Sequence, residues 1–194
     1  MTRRLLIDTD PGIDDALALL YGWGSPDLRL AAITTVAGNV PVAEATRNLL
    51  RLVALCGIEP PPIAEGAAAP LDRGLVTATG YHGDDGLGDL PDWPSPPGTL
   101  VAQSAAEVIV EAARRAAEPL TLIALGPLTN VALALERDAA ALDPSLVGWE
   151  TTRLEIGPDG ETRRAAGPVN CRFARTVDVP RFLGVFLDRV CPAS

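Results

Sequence analysis

The chain has 194 residues, of which 47% are apolar and 21% charged, a composition typical of one globular domain of ordinary size. Arginine supplies all 16 positive charges because the sequence contains no lysine, and 25 acidic side chains give a net charge of −9. The lack of lysine excludes a Schiff-base lysine, a P-loop and a Ser-x-x-Lys nucleophile. The single histidine, His82, excludes zinc sites built on two or three histidines.

Charge and cysteine content indicate the partners and the compartment. An acidic chain with no basic stripe repels phosphate backbones, so we expect no nucleic acid partner, whereas a bound cation is readily accommodated. Cys56, Cys171 and Cys191 have no paired spacing, which favours reduced thiols. The first apolar run is too short for a signal peptide, and no run approaches the ~18 residues of a membrane span. We therefore expect a cytoplasmic protein that acts on small molecules.

Apolar strands alternate with helices along the first 137 residues. In chain order, the pattern predicts a strand at 3–9, a helix that starts at Ile13, a strand at 28–37, a helix at 42–56 that Gly57 ends, a short strand at 63–64, a long loop at 66–98, a helix at 101–117, a strand at 120–125 and a helix in GPLTNVALALER. Such alternation indicates a mostly parallel sheet with helices on both faces, a doubly wound, Rossmann-like α/β fold. Active sites in these folds lie at the carboxyl ends of the strands.

The character of the chain changes near residue 146. Residues 1–147 carry a charge of −10, whereas residues 148–194 carry +1. The turn sequence Gly-Pro-Asp-Gly lies between segments 151–156 and 161–166, a pattern that predicts a β-hairpin. The pattern of residues 179–190 predicts a short terminal helix. We interpret the chain as a single domain, with an α/β core at 1–147 followed by C-terminal strands and a helix at 148–194.

Four carboxylates lie within eight residues where the first strand meets the first helix: Asp8, Asp10, Asp14 and Asp15. The two-residue period of a strand puts Asp8 and Asp10 on one face, and the following turn can fold the other two back toward them. Crowded carboxylates bind a proton or a cation, and a flexible, oxygen-rich loop favours Ca²⁺ over Mg²⁺. Alternatively, Asp14 and Asp15 only occupy the first turn of a helix, where the dipole favours acids.

The segment DTDPGIDDALAL closely resembles the amino-terminal signature of the inosine-uridine preferring nucleoside hydrolase family. Further motifs agree in order and spacing: AITTVAGNV at 32–40, HGDDGLG at 82–88 and ALGPLTNVALAL at 124–135. The resemblance covers residues 3 to about 147. It implies that a calcium-bound water hydrolyses the N-glycosidic bond of purine or pyrimidine ribonucleosides.

The resemblance also implies a calcium site and its support. It makes Asp10, Asp15 and the backbone carbonyl of Thr129 the calcium ligands, with Asp10 also acting as general base toward the water. A cation lowers the pKa of its water, and a neighbouring carboxylate can then take the proton. Asp8 is expected to lie behind these ligands and orient them.

The remaining candidate residues concern the substrate. The resemblance implies that Asp14 and Asn39 hold ribose hydroxyls, and His82 is a candidate substrate contact and leaving-group donor. Each has a simpler interpretation, because Asn39 follows Gly38 in a turn and a lone loop histidine is by default solvated. Cleavage passes through an oxocarbenium-like ribosyl state, which nearby carboxylates stabilise.

The chain departs from the family pattern in its centre. Members carry an Asn, a Glu-Phe-Asn segment and a His-Asp pair that complete the site, whereas here the flanking parts meet directly at 144–149. We therefore expect a simplified or shared site, and a homo-oligomer in which a second subunit covers exposed sheet edges. The alternative is a catalytically silent relative that binds metal or ribose, or serves as an assembly subunit. A haloacid dehalogenase-type phosphatase also begins with a strand ending in Asp-x-Asp, but it normally uses a lysine.

Overall fold

The computed structural model describes residues 2–94, 98, 100–116, 120–138, 154–156 and 162–164. The chain divides into two compact units, Met1–Leu142 and Asp143–Ser194. The elements of the first unit are β1 (Arg3–Thr9), α1 (Ile13–Gly24), β2 (Leu28–Thr35), α2 (Val42–Cys56), β3 (Ile63–Glu65), α3 (Thr79–His82), α4 (Ala105–Arg114), β4 (Leu120–Ala124) and α5 (Thr129–Arg137). The second unit contributes β5 (Leu154–Ile156) and β6 (Thr162–Arg164).

The first unit is built on a four-stranded parallel sheet in the order β3-β2-β1-β4. Neighbouring residues of a strand point to opposite faces, so each strand contributes to two cores. Ile7, Ile33 and Ile63 pack with residues of α1 and α2 on one face. On the other face Leu6, Ala32 and Ala64 pack with residues of α4 and α5. The predicted parallel α/β fold with helices on both faces is therefore confirmed.

Two helix termini show why the helices stop and start where they do. Gly57 adopts a left-handed conformation with φ of 60° after α2, which an L side chain rarely adopts, and so ends that helix as predicted. α4 begins at Ala105, four residues later than the predicted start at 101. There the Ser104 hydroxyl accepts a hydrogen bond from Glu107 N–H, while the Glu107 carboxylate accepts one from Ser104 N–H. This reciprocal cap fixes the first turn.

Other boundaries differ slightly from the prediction. β2 ends at Thr35 and β4 at Ala124, two residues and one residue before the predicted ends. Within the described residues of the predicted loop at 66–98 the structure has a short helix, α3. No helix in the described part of the chain is long and apolar enough to span a membrane.

The second unit is described only at two short strands. β5 and β6 pair antiparallel, with Leu154 opposite Arg164 and Ile156 opposite Thr162, as the predicted hairpin requires. The predicted terminal helix at 179–190, as well as Cys171 and Cys191, lie outside the described residues. Cys56, at the end of α2, is a free thiol.

Candidate active site

The acidic cluster lies at the carboxyl end of β1, where the connections leave the sheet in opposite directions. From β1 the chain runs to β2 and β3 on one side, whereas β4 lies on the other side of β1. In an open α/β sheet the crevice at such a switch point is the usual ligand site. Segments that follow β1, β2 and β4 all converge there, which brings residues distant in sequence together.

Asn39 links Asp10 and Asp15, two buried acids of the cluster. Its backbone N–H donates to Asp10 Oδ2 at 2.7 Å, and its side-chain Nδ2 donates to Asp15 Oδ2 at 3.1 Å and to the Asp10 carbonyl at 3.1 Å. Asp15 also accepts from the Thr9 hydroxyl at 2.6 Å and from Gly12 N–H at 3.3 Å. Asp10, Asp15 and Asn39 are therefore brought into one hydrogen-bonded group, with Asp15 folded back from the first turn of α1.

The environment makes ionisation of these acids unfavourable. Burial, followed by the charge of Asp15, raises the pKa of Asp10 from 3.8 to about 7. Burial likewise raises the pKa of Asp15, partly offset by the hydrogen bond from Thr9. Near neutral pH the pair therefore gains from a bound proton or from a cation placed between the carboxylates.

Asp8 lies beneath this pair and is fully buried, with an exposed fraction of 0%. Its Oδ1 accepts from the Thr34 hydroxyl at 2.6 Å and from Asn130 Nδ2 at 2.8 Å, while Oδ2 is buried and has no hydrogen-bond partner among the described residues. Burial raises the pKa of Asp8 to about 6 despite those two hydrogen bonds. These contacts link the ends of β1 and β2 to the start of α5.

Glycines allow the turns after β2 and β4 to press against the Asp10 carboxylate. A Cβ atom at Gly38 would overlap Asp10 Oδ2, and one at Gly126 would lie 2.7 Å from Asp10 Oδ1. The same position at Gly38 would lie 2.7 Å from Pro127 Cδ. Thr129, the predicted carbonyl ligand, opens α5 directly after this turn and is buried. The structure therefore places the segment carrying Thr129 beside Asp10.

Asp14 and His82 occupy the outer part of the cluster. The Asp14 side chain is 82% exposed, and its Oδ1 lies 3.8 Å from His82 Nε2. His82 Nδ1 accepts from Ile13 N–H at 3.4 Å, so the loop that carries the histidine contacts the first turn of α1. Asp14 differs from Asp15 in pointing outward, although both lie in that first turn. Asp14 is therefore the exposed acid of the cluster, and His82 lies beside it.

Several residues that support the site were not singled out from the sequence. Thr9 holds Asp15, and its position inside the acidic motif is the signal that could have identified it. Thr34 holds Asp8 from near the end of β2, where only the strand order shows its proximity. Asn48 Nδ2 donates to the carbonyls of Pro11 and Asp85 at 3.2 and 2.7 Å, which joins the acidic turn to the His82 loop. Nothing in local sequence reveals that contact, because each partner lies 37 residues from Asn48 along the chain.

The donor set fits a hard cation in part. Carboxylate and carbonyl oxygens are the ligands that Ca²⁺ prefers, and Ca²⁺ takes six to eight of them. Asp10 and Asp15 supply two crowded carboxylates, and no group of three or more His, Cys, Asp or Glu side chains able to hold a metal occurs in the described part of the chain. A cation here would need additional oxygens from backbone, water or the hydroxyls of a ligand.

A parallel α/β sheet with buried acids at its switch point defines a Rossmann-like class of ligand-binding proteins. The model of the inosine-uridine preferring nucleoside hydrolase family matches residues 5–140, and the chain belongs to that family. The chain is 44% identical over 139 residues to uridine nucleosidase 1 of Arabidopsis thaliana, a match that spans 71% of this chain and 41% of the relative. It is 42% identical to the pyrimidine-specific ribonucleoside hydrolase RihA of Shewanella baltica, over 70% of this chain and 42% of that protein.

Solved structures show the same relationship. A plant nucleoside hydrolase, the PpNRh1 enzyme, superposes with a TM-score of 0.67 and 37% identity, over 73% of this chain and 45% of that one. A purine-preferring ribonucleoside hydrolase from Gardnerella vaginalis gives a TM-score of 0.68 and 30% identity, over 73% and 46%. The chain therefore spans less than half the length of these relatives. The matched part contains the acidic cluster and the turns around it.

Proposed function

We propose that the chain hydrolyses the N-glycosidic bond of ribonucleosides, releasing ribose and a free base. The observation that carries this proposal is the hydrogen-bonded group of Asp10, Asp15 and Asn39 at the switch point of the sheet. Relatives that share this part of the chain are named for action on uridine, on pyrimidine ribonucleosides and on purine ribonucleosides. We therefore propose the ribonucleoside as the substrate class and test both kinds of base.

The chain's own residues have distinct roles in the proposed reaction. Asn39 holds Asp10 Oδ2, so Oδ1 is the oxygen that takes a proton from the attacking water. Asp14, exposed at the mouth, accepts hydrogen bonds from ribose hydroxyls, and Asn39 Oδ1 accepts another. The buried carboxylates also stabilise the positive charge that develops on the ribosyl group. His82, close to Asp14, is placed to contact the substrate.

The proposed cofactor is Ca²⁺, held by Asp10, Asp15 and the carbonyl of Thr129. When bound, it would lower the pKa of the attacking water and relieve the repulsion between the carboxylates. Asp8 would orient the strand end that carries Asp10, since Thr34 and Asn130 fix its carboxylate. Support for this choice comes from the crowded, buried oxygens of Asp10 and Asp15, since carboxylate and carbonyl oxygens are the ligands that Ca²⁺ prefers.

Ribose release from inosine and from uridine, measured with calcium and with excess chelator, tests the proposal. We expect release with calcium, loss with chelator, and loss of at least 100-fold in Asp10→Ala, because the general base and a cation ligand are removed together. Asp27→Asn is the matched control, since Asp27 lies at the opposite end of the sheet before β2 and carries the same charge. Undiminished turnover by Asp10→Ala would refute the assigned base.

A second candidate is a relative that binds metal or ribose without turnover. It is favoured by the two-carboxylate shell among the described residues and by the single histidine of the chain. Calcium binding measured by calorimetry, together with an absence of ribose release at high enzyme concentration, would support it. Ribose release from either nucleoside would exclude it.

We further propose a cytoplasmic homo-oligomer. β4 forms an edge of the described sheet, and Leu125 and Leu128 beside it are 41% and 63% exposed. Exposed strand edges are usually paired or covered, and a second subunit would do this. The free thiol of Cys56 agrees with a reducing compartment. Light scattering of the purified chain tests the oligomeric state, and a monomer at micromolar concentration would contradict it.

A further inference from the structure

Asn130 uses both polar atoms of its side chain to join three separate segments. Nδ2 donates to Asp8 Oδ1 at 2.8 Å and to the Thr35 carbonyl at 2.8 Å, while Oδ1 accepts from Ala67 N–H at 2.9 Å. The side chain is completely buried, with an exposed fraction of 0%. One amide therefore fastens the start of α5 to the ends of β1 and β2 and to the loop after β3.

Only an amide satisfies these three partners. Two of them, the Asp8 carboxylate and the Thr35 carbonyl, are acceptors that need donors, whereas Ala67 N–H needs an acceptor. An aspartate at 130 would have nearly the same shape but would turn an oxygen toward two other oxygens. An alanine would remove all three hydrogen bonds, so Ala67 N–H and the Thr35 carbonyl would lose this partner and Asp8 Oδ1 would keep only the Thr34 hydroxyl, which is costly in a dry interior.

The surrounding backbone independently leaves room for this amide. A Cβ atom at Gly66 would collide with both Oδ1 and Nδ2 of Asn130 and with the Thr35 carbonyl. The loop after β3 thus reaches Asn130 only because residue 66 has no side chain. The Asn130 amide is therefore held in one orientation by the close approach of the Gly66 backbone and by its three hydrogen bonds.

The contacts of Asn130 connect the two parts of the proposed cation site. Asn130 follows Thr129 directly, and its partner Asp8 precedes Asp10 by two residues, although 122 residues separate Asn130 from Asp8 in sequence. The turn before Thr129 already contacts the Asp10 carboxylate at Gly126. Displacing the amide would therefore move the Thr129 carbonyl relative to the Asp10 carboxylate.

We propose that Asn130 is a positioning residue that fixes the start of α5 against Asp8 and so sets the spacing between the Thr129 carbonyl and the Asp10 carboxylate for Ca²⁺. This inference rests on the proposed function, because it presumes the cation site. Asn130 itself contacts neither substrate nor cation. Its effect is therefore on calcium affinity more than on the chemical step.

Calorimetric titration of the full chain with Ca²⁺ tests the inference without relying on activity. We expect Asn130→Asp to weaken calcium binding by about 10–100-fold, the usual effect of removing a residue that orients metal ligands. Val131→Ala is the matched control, since Val131 is the next residue of α5 and is also buried. It is expected to lower the melting temperature while leaving the calcium Kd within twofold of the wild type.

A second variant, Gly66→Ala, perturbs the Asn130 amide from the loop after β3. Gly66→Ala retains Asn130 but displaces it, so we expect a weaker calcium Kd as well. Its control is Gly74→Ala, because a Cβ atom at Gly74 meets nothing within 4 Å. Ribose release at saturating calcium should return to within threefold of wild-type kcat in the folded variants, since the residue acts through the cation site.

The outcomes separate this inference from the function it rests on. Wild-type calcium binding with an unchanged Kd in folded Asn130→Asp or Gly66→Ala overturns the role of Asn130 and leaves the proposed function intact. If Asn130→Asp does not fold by circular dichroism, Gly66→Ala decides. An absence of calcium binding by the wild-type chain overturns both. A loss of affinity in Val131→Ala as large as that in Asn130→Asp would also overturn the inference, because it would reduce the effect to general destabilisation.

Discussion

Replacing Asp10 by asparagine should stabilise the calcium-free chain at pH 8 while abolishing its proposed function. The pKa of Asp10 is raised from 3.8 to about 7, because burial and the charge of Asp15 disfavour its ionised form. Between those two values the folded state retains a proton that the unfolded state releases. The free energy of unfolding therefore falls as pH rises through this window, and asparagine, which does not titrate, removes that loss.

The magnitude follows from the same two values. At a pH above both, a rise from 3.8 to about 7 corresponds to about 4 kcal/mol, since each pH unit is worth about 1.4 kcal/mol. From pH 5 to pH 8 the contribution of Asp10 alone is a loss of roughly 2–3 kcal/mol. Asparagine can keep its Oδ1 as the acceptor for Asn39 N–H, so the main hydrogen bond of the position is retained.

Urea unfolding followed by circular dichroism, in excess chelator at pH 5 and pH 8, measures this difference. The free energy of unfolding of the wild type relative to Asp10→Asn is expected to fall by roughly 2–3 kcal/mol between the two pH values. Asp27→Asn controls for the removal of one negative charge elsewhere. If the wild type and Asp10→Asn show parallel pH dependences, the buried carboxylate does not carry the electrostatic cost, and the reasoning fails.

Two further predictions concern neighbouring glycines and the helix cap. Gly38→Ala should weaken calcium binding at least tenfold by calorimetry, because its Cβ atom would overlap Asp10 Oδ2, whereas Gly74→Ala should leave calcium binding unchanged. Normal calcium binding by Gly38→Ala would contradict this expectation, because it would show that the turn after β2 shifts to accommodate the added Cβ atom. Ser104→Ala should lower the free energy of unfolding by about 1 kcal/mol in urea, because α4 loses its cap, with no change in ribose release. A loss of activity there would mean that α4 is coupled to the site.

The sequence predicted the fold well because its strong signals are local. β1 contains the apolar run at 5–7, which leads directly into the acidic motif, and α2 repeats apolar residues at helical spacing until Gly57. These patterns give the right elements and, through their alternation, the parallel sheet. The predicted start of α4 was four residues too early. Apolar residues at 100 and 101 extend the helical pattern on the amino-terminal side of Ser104, but the side-chain cap at Ser104 decides where the helix begins.

The candidate site was predictable only as far as its ligands lie in one motif. Asp10 and Asp15 are five residues apart, and a turn is enough to bring them together. The residues that support these ligands do not lie in the same motif. Thr34 and Asn130 donate to Asp8 from other segments, and Asn130 lies more than one hundred residues from Asp8 in sequence. Such contacts follow from the order of strands in the sheet, which places the ends of β2 and β4 on either side of β1.

Because buried acids meet at this point of the sheet, the free energy of unfolding of the first unit depends on whether a proton or a cation is bound there. Between pH 5 and pH 8 Asp10 costs roughly 2–3 kcal/mol in the calcium-free chain. A ligand at about 100 times its Kd stabilises the folded state by about 3 kcal/mol, an effect of the same order. If the chain binds calcium as proposed, saturating calcium would offset the free-energy cost of ionising the acidic cluster at neutral pH. The melting temperature would then depend strongly on pH in chelator and only weakly in calcium, whereas a protein stabilised by protons alone would show the same pH dependence in both.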